Sequence, residues 1–296
     1  MSMLNDYSFG PYYFQVAIIL RNSMLINATL CNSEVWYNLT ESNLTQLESV
    51  DETLLRKILE TGTSTLKVML YLDLGVIPIR FIIMNRRVMY LSYILRNKKT
   101  LLYKFFLAQL KNPCKGDWTI TVIEDLKQLG ITETFEEIAR ISEERFRNIV
   151  KEKIKILAFR YLITIKDKEK ERSKVNKVQF HELEMQSYLL PNKMSTNTMD
   201  STQLCKFVFS LRTRMVQVRD NFKSSYADTN CQLCYQHVDS QPNLLNCKML
   251  QDDALVAATP EYEDLFSNDA EKQLKIAILL REKFRKRKQL LKTKPA

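Results

Sequence analysis

The sequence predicts a mainly α-helical protein. Three observations support this prediction. Glycine and proline are scarce, at 5 and 7 of 296 residues, hydrophobic residues make up 45% of the chain, and apolar side chains recur at helical spacing. Folds that bind nucleotides through phosphate loops, and folds built from tight β-turns, use many more glycines. Neither G-x-G-x-x-G nor a Walker loop is present. We therefore expect helices joined by short polar turns.

The first predicted helix is defined by apolar spacing and by the residues that bound it. An apolar stretch within residues 11–30 ends in a break, SEVWYNLTESN. A helix then runs from Asn43 towards Gly62, with acids early and basic residues late, as the helix dipole favours. Its predicted buried face consists of Leu44, Leu47, Val50, Leu54 and Ile58.

Four more helices are predicted before residue 130. A helix over residues 64–74 is expected to end at Gly75, and the next begins after Pro78 as IRFIIMNRRVMYLSYILRN. The segment LLYKFFLAQLKN forms a further helix. KNPCKGD is a turn by composition, and Asp117 is placed to cap a helix that continues to Leu129.

The second half of the chain has fewer clear elements. Thr134 and Glu137 fit a capping box, and Ser142 is expected to begin a longer helix. That helix carries an apolar stripe made of Phe146, Ile149, Ile154, Leu157 and Tyr161. Beyond about residue 165 nearly every residue is charged, which suits a solvated helix extension or a flexible connector. A short helix containing TQLCKFVFSLRTRM and a final amphipathic helix from about residue 270 complete the prediction.

These elements divide the sequence into six predicted segments. They are an N-terminal remnant at 1–15, a helical region at 16–130, a basic helical connector at 131–190, a linker at 191–200, a cysteine-containing segment at 201–260, and a basic amphipathic helix and tail at 261–296. The linker is the clearest boundary.

Three of the six cysteines cluster in one short stretch, CQLCYQHVDSQPNLLNC. Cys231 and Cys234 form a C-x-x-C pair, Cys247 follows, and His237 lies between them. Clustered thiols in a chain with too few cysteines for a disulfide framework are typical of metal ligands. The remaining cysteines stand alone and are predicted to be packing residues; they are Cys31, Cys114 and Cys205.

The sequence offers no recognisable catalytic arrangement. His181 and His237 are the only histidines, which leaves no H-E-x-x-H motif and little scope for a histidine-based triad. Asp252 and Asp253 lie in LQDDAL without a third acid in a recognisable relation, and we expect a solvated loop there. The protein is therefore predicted not to be an enzyme and to have no small-molecule substrate.

Targeting and membrane-spanning segments are not visible. No apolar run approaches 18 residues, and the N-terminus has neither a basic n-region nor a long apolar h-region. We therefore expect an intracellular protein of the nucleus or cytoplasm, without a membrane partner.

The net charge of +10 is concentrated in three windows. Residues 80–104 carry seven Lys and Arg and no acid, residues 144–178 carry twelve against five acids, and residues 271–296 carry ten against two. The remainder of the chain is therefore net negative. Segregated basic surface favours a polyanionic partner, and the expected one is RNA or DNA backbone bound without regard to sequence.

Ten basic residues are the candidates for that contact. They are Arg80, Arg86, Arg87, Arg96, Lys98 and Lys99 in the first window, and Arg285, Lys286, Arg287 and Lys288 in the third. For the first window the alternative is half of a helix surface paired with acids elsewhere. For the C-terminal run REKFRKRK the alternatives are a solvated, frayed helix end and a nuclear-import signal.

Four blocks of the sequence resemble the region that follows the polymerase core in non-LTR retrotransposon reverse transcriptases. They are QLESVDETLLRKIL, MLYLDLGVIPIRFIIMNRR, FFLAQLKNP and FVFSLRTRMVQVRDNF, followed by the C-x-x-C loop. Their order and spacing agree over roughly residues 12–290. The resemblance implies a helical thumb and connector, a zinc-binding segment of the reverse-transcriptase type, and a role in gripping nucleic acid during template copying.

The resemblance also implies what this sequence lacks. The polymerase palm of the family carries an aromatic-x-Asp-Asp motif and a further metal-binding aspartate, and we expect it upstream of residue 1, since no such motif occurs here. Some relatives carry a nuclease domain after the zinc segment. Only 49 residues follow Cys247, which is too few for one.

For the cysteine stretch, the resemblance implies a zinc site that has lost one ligand. In the family the loop resembles C-x-x-C followed by H-x-x-x-C, which supplies three thiolates and an imidazole. The three clustered cysteines match, but Asn243 stands where the histidine is expected, and a neutral amide oxygen is a poor zinc ligand. His237 or water would complete the set. We therefore expect a weakened zinc site.

The sequence as a whole predicts a non-catalytic nucleic-acid-binding fragment that resembles the C-terminal part of a reverse transcriptase, from a truncated or decayed element. Three alternatives are a helical protein–protein interaction module, a working polymerase or nuclease, and an open reading frame without selected function. The lack of metal-binding acids argues against the second.

Overall fold

The structure is a computed structural model that describes residues 13–172, 200–251, 260–267 and 269–293. These residues are mainly α-helical, and none of them forms a β-strand, which confirms the predicted fold class. Extended backbone pairs at an isolated antiparallel bridge between Asn230 and Val238.

Eleven helices are described in this part of the chain. They are α1 (Tyr13–Leu20), α2 (Glu41–Leu59), α3 (Lys67–Leu74), α4 (Ile79–Arg96), α5 (Leu101–Lys111), α6 (Trp118–Leu129), α7 (Phe135–Arg140), α8 (Glu143–Arg172), α9 (Asp200–Arg212), α10 (Gln241–Asn246) and α11 (Ala270–Thr293). A π-helical stretch (Arg21–Ile26) and one more turn (Asn27–Thr29) continue α1. Short 3-10 turns lie at Ser33–Val35, Arg219–Ser225, Lys248–Leu250 and Tyr262–Phe266.

Several predicted helix ends are confirmed. Gly75 follows α3 with a left-handed φ of 62°, a conformation that glycine adopts without strain. Thr134 and Glu137 form the predicted capping box at the start of α7. At α8, the backbone N–H of Arg145 donates to Oγ of Ser142 at 3.3 Å.

Two helix ends differ from the prediction. Asp117 precedes α6 as expected, but its carboxylate accepts from the backbone N–H of Cys114 at 2.8 Å and makes no cap bond to the helix. Helix α2 ends at Leu59, and Glu60 rather than Gly62 takes the left-handed conformation, with φ of 50°. The Glu60 carboxylate accepts from the Lys206 ammonium at 2.8 Å, which helps to offset that strain.

The charged sequence after residue 165 is helical as far as it is described. Helix α8 continues to Arg172, so of the two alternatives left open by the sequence the structure shows a helix extension for residues 166–172. Residues 173–199, which include nearly all of the predicted linker, lie outside the described residues.

The chain divides into two compact units, each made of separate stretches of sequence. The first, called here the central unit, consists of residues 19–55 and 76–165. The second, called here the terminal unit, consists of the residues up to 18, residues 56–75 and the residues from 166 onward. The six sequence-based segments remain predictions.

Helix α4 is the core helix of the central unit. It contacts α5, α6, α7 and the turn at Ser33–Val35. The buried side chains around it form one hydrophobic cluster that includes Phe81, Val88, Leu91, Phe106, Val122, Ile138, Phe146, Val150, Ile154 and Ala158. These residues recur at helical spacing on α4 and α8, so burial of one apolar face explains the helices that the sequence predicted.

Acids on α2 are buried in ion pairs within the central unit, and this corrects the predicted face of that helix. Val50, predicted to be buried, is 48% exposed. Glu48 and Asp51 are instead fully buried. Asp51 accepts two hydrogen bonds of 2.6 Å from Arg21, and Glu48 accepts from Nε of Arg80 at 2.7 Å.

The terminal unit is built around α11. This helix contacts α9, α10 and the turns at Lys248–Leu250 and Tyr262–Phe266. Its buried side chains are Ile276, Ala277 and Leu280, and other core residues of the unit include Val68, Leu70, Leu204, Val208, Phe209, Leu211, Leu244 and Leu265. Asp73 lies 3.6 Å from the Arg212 guanidinium, and burial raises the pKa of its carboxyl above the usual value.

No single described helix is both long and apolar enough to cross a membrane. Helices α3 and α4, which are separated by a short break, meet this requirement of length and composition only when they are counted together.

We expect Asp51→Ala to destabilise the protein by about 3–5 kcal/mol, because it leaves the buried Arg21 guanidinium without its carboxylate. Urea unfolding, monitored by circular dichroism, measures the change in the free energy of unfolding. The double variant Arg21→Met/Asp51→Leu removes both charges and should lose much less stability. Equal losses in the single and double variants would contradict a role for the ion pair beyond packing.

Candidate metal centre and cationic surface

The cysteine loop is shaped by backbone hydrogen bonds around the C-x-x-C pair. The Cys231 N–H donates to the carbonyl of His237 at 2.7 Å, and the Tyr235 N–H donates to the carbonyl of Cys231 at 2.9 Å. Tyr235 has a φ of 52°, so the chain reverses direction directly after Cys234. Cys247, the residue directly after α10, lies next to this pair.

The three clustered thiols form a site that can hold a metal ion. The Sγ atoms of Cys231, Cys234 and Cys247 all lie within 4.8 Å of one another, and those of Cys231 and Cys247 are 3.9 Å apart. Thiolates bound tetrahedrally at ~2.3 Å from a metal are about 3.8 Å apart. Cys231 and Cys247 are buried and Cys234 is partly exposed. The predicted ligands are therefore together in space.

The fourth coordination position of a tetrahedral metal ion has no strong ligand in place. His237 and Asn243 both line the small cavity next to the thiols. The His237 side chain is exposed, and its ring nitrogens do not belong to the group of donor atoms that the three sulfurs form. Asn243 directs its amide nitrogen to the carbonyl of Val238 at 3.0 Å.

The environments of the thiols differ in their effect on ionisation. Backbone N–H groups, first that of Gln236, lower the pKa of the Cys234 thiol. Burial raises the pKa of the Cys247 thiol to about 11. A metal ion that binds all three sulfurs must therefore displace a proton from Cys247 at neutral pH.

The isolated cysteines divide into one packing residue and two surface residues. Cys205 is buried on α9, as predicted, and burial raises the pKa of its thiol to about 12. Cys31 and Cys114 are exposed, so the prediction that they pack in the interior is wrong. Both follow helix ends or turns, where the backbone lies at the surface.

The cysteine cluster is the one group of three or more His, Cys, Asp or Glu side chains in the described part of the chain that is arranged to hold a metal ion. No carboxylate cage of the kind used in phosphoryl transfer is found among these residues. His181, Asp252 and Asp253 lie outside the described residues.

The arginines of the first basic window bind groups of the protein itself. Arg80 pairs with Glu41 and Glu48. Arg87 donates from Nε and from its second terminal nitrogen to Asp125 at 2.6 and 2.9 Å, and its side chain is 9% exposed. Their charge is neutralised by acids inside the central unit.

The other two arginines of this window hold backbone carbonyls. Arg86 donates to the carbonyl of Leu30 and to Asn27, and Arg96 donates to the carbonyl of Ile141 at 2.8 Å. The lysines of the window are exposed and form no ion pair with a described residue; they are Lys98, Lys99 and Lys104.

The basic residues of α11 are divided in a similar way. Arg287 is buried and donates to Asp239 at 2.5 Å, while Lys286 donates to the carbonyl of Gln251 at 3.4 Å. Arg285 and Lys288 are exposed, and the ammonium of Lys288 lies 5.0 Å from the centre of the Phe284 ring.

One further lysine and the basic face of α8 were not among the predicted contacts. Lys292 is exposed on α11, two turns after Arg285. On α8, Lys151, Lys155 and Arg160 are exposed. Basic residues three or four positions apart, at 151 and 155 on α8 and at 285, 288 and 292 on α11, were the sequence signal that could have identified these faces.

Comparison with protein-family models, with curated proteins and with solved structures finds no match to this chain. No catalytic family is indicated by these comparisons.

We expect Cys247→Ser to abolish binding of Co²⁺, which serves as a spectroscopic probe. The substitution removes one of the three thiolate ligands and leaves only two. The thiolate-to-metal absorption band measures binding. Cys114→Ser, which changes an exposed cysteine, is the matched control and should bind as the unaltered protein does.

The Co²⁺ titration, repeated at several pH values, gives the pH dependence of the metal affinity. The affinity is expected to rise with pH towards the Cys247 pKa of about 11, by up to about tenfold per pH unit for each proton released. An affinity that does not change with pH, or undiminished binding by Cys247→Ser, would contradict the assignment.

Proposed function

We propose that this protein binds nucleic acid without catalysing a reaction on it, and that α11 makes the main contact with the phosphate backbone. The observation that supports the proposal most strongly is the division of cations on this helix. Arg287 is buried in an ion pair, whereas Arg285, Lys288 and Lys292 are exposed and form no ion pair with a described residue. Cations that no acid neutralises can bind phosphates and release counterions.

Two lysines hold α11 in place beneath these cations. Lys283 donates to the carbonyl of Leu250 at 3.1 Å, and Lys286 donates to the carbonyl of Gln251. These lysines fix the helix to the segment that follows the cysteine loop, and the ion pair of Arg287 with Asp239 fixes it to the loop itself. Because the helix is held at several points, its exposed cations lose little backbone freedom when they bind a phosphate.

The resemblance to the thumb, connector and zinc-binding region of reverse transcriptases is the reason for choosing nucleic acid over other polyanions. A part of such a protein without the polymerase palm would grip a strand by its backbone, without sequence preference. Exposed lysines in the central unit, Lys98, Lys99 and Lys104, would add weaker contacts of the same kind.

Zinc is the metal that we propose for the cysteine site. Soft thiolates favour zinc among the common divalent ions, and the 3.9 Å separation of the Cys231 and Cys247 sulfurs suits it. Water or a reoriented His237 would supply the fourth ligand. With three strong ligands rather than four, the affinity should be well below that of a complete structural site, whose zinc contributes ~10–16 kcal/mol.

Binding to a fluorescent oligonucleotide is expected to weaken steeply with salt, which anisotropy titrations measure. The triple variant Arg285→Ala/Lys288→Ala/Lys292→Ala should bind more weakly and should lower the slope of log affinity against log salt by about 2–3. Each lost phosphate contact removes roughly 0.7–0.9 from that slope.

The matched control removes the same charge from exposed lysines of the central unit, as Lys111→Ala/Lys115→Ala/Lys127→Ala. Its slope should stay near that of the unaltered protein. Equal losses in the two triple variants would show that only net charge matters, and no binding at low salt would reject nucleic acid as the ligand.

A second candidate function, a helical protein–protein interaction module, is favoured by the outer face of α5. Leu101 and Phe105 are 65% and 60% exposed, while Phe106 on the opposite face is buried. Residues 97–112 carry four lysines and no acid. An exposed apolar face flanked by lysines suits a partner segment with one apolar and one acidic face.

We expect Leu101→Ser/Phe105→Ser to lose a partner that the unaltered protein captures from nuclease-treated extract at high salt, where apolar contacts persist. The control Tyr37→Ser changes another exposed apolar residue, which is 57% exposed. If the double variant and the control capture the same proteins, or if capture needs nucleic acid, the module is not formed by α5.

A further inference from the structure

A cavity in the terminal unit lies beside the exposed cations of α11. Its volume is about 410 Å³, within the usual ~300–1,000 Å³ of ligand sites. One wall is a single face of α11, because Phe284, Lys288 and Lys292 are spaced four residues apart. Arg219 and Tyr226 also line the cavity. The cysteine loop contributes Gln232 and Asp239.

The lining combines net positive charge with aromatic rings. Four of the ten lining residues are basic and one, Asp239, is acidic. The Tyr226 side chain is 46% exposed, and the guanidinium carbon of Arg219 lies 5.4 Å from the centre of its ring. The ammonium of Lys288 lies 5.0 Å from the centre of the Phe284 ring. A lining that combines cations with aromatic rings suits a ligand that carries both a planar ring and a phosphate.

Buried polar atoms at the cavity are incompletely satisfied. Asp239 and Arg287, both lining residues, have side chains that are 1% and 6% exposed. Oδ1 of Asp239 and Nε of Arg287 have no hydrogen-bond partner among the described residues. Because both atoms have almost no exposed surface, a ligand in the cavity would not reach them while the ion pair is in place.

We propose that this cavity binds single-stranded nucleic acid by stacking one base against Tyr226 while Lys288 and Lys292 hold the flanking phosphates. This inference rests on the proposed function and makes its ligand specific. A duplex keeps its bases stacked inside the helix, so no internal base offers a free face to the Tyr226 ring. A purely electrostatic surface would favour the duplex, because the duplex has the higher charge density. Base stacking reverses that preference.

The first test compares a labelled single-stranded oligoadenylate with an oligonucleotide of the same length and charge that lacks bases. The oligoadenylate should bind at least about fivefold more tightly, as expected for one stacked base. The duplex of the same sequence should compete less well than the single strand. If the baseless strand or polyglutamate binds as tightly as the oligoadenylate, stacking in the cavity is rejected.

The second test uses a fluorescent purine analogue placed within the single strand. Its emission should change on binding to the unaltered protein and to Tyr226→Phe, which keeps the ring, and should not change with Tyr226→Ala. Because Tyr226 is about half exposed, both variants should keep the thermal unfolding midpoint.

The outcomes separate this inference from the proposed function. One outcome is salt-dependent binding that is equally tight for strands with and without bases and that Tyr226→Ala does not change. This outcome supports the contact with the phosphate backbone and rejects the stacking site. Failure of every oligonucleotide to bind at low salt overturns both. Loss of the preference for bases in Tyr226→Ala but not in Tyr226→Phe establishes the stacking role of the ring.

Discussion

The ion pair between Arg287 and Asp239 is the interaction on which the terminal unit depends most. Arg287 lies on α11 and Asp239 in the cysteine loop, and both side chains are almost completely buried. The same guanidinium donates to the carbonyl of Gln217, and the same carboxylate oxygen accepts from the backbone N–H of Arg219. Removing either charge would leave the other buried and unpaired, at a cost of about 3–5 kcal/mol. This contact therefore joins the basic helix to the loop that carries the thiol cluster, at the wall of the cavity.

Basic residues serve two purposes in this protein, and the type of side chain largely separates them. The arginines at 21, 80 and 87 donate to carboxylates through planar guanidinium groups, which are well suited to two-point contacts. Exposed positions near helix ends are mainly lysines, such as Lys98 and Lys288. Net charge is consequently a poor measure of the charge available to a polyanion, since part of it is neutralised inside each unit. The proposed contact on α11 depends on the cations that remain.

Sequence reasoning identified the elements whose causes are local and missed those whose causes are distant. The helical class, the capping box at Thr134 and the grouping of three cysteines follow from residues close together in the chain. The burial of Glu48 and Asp51 does not, because their partners lie 32 and 30 residues away, and an acid on a helix is ordinarily solvated. Arg21 within an apolar stretch was the available signal, since a buried guanidinium requires a carboxylate. The cavity could not be predicted, because its walls come from three separate segments.

Lysine-reactive footprinting, read by mass spectrometry with and without a single-stranded oligonucleotide, tests the central claim most directly. The claim is that the free cations of α11, held in place by the Arg287 contact, form the nucleic-acid surface. Lys288 and Lys292 should become protected from modification on binding, while Lys111 and Lys127, equally exposed on the central unit, should react as before. Protection spread evenly over all four lysines, or confined to the central unit, would contradict the account.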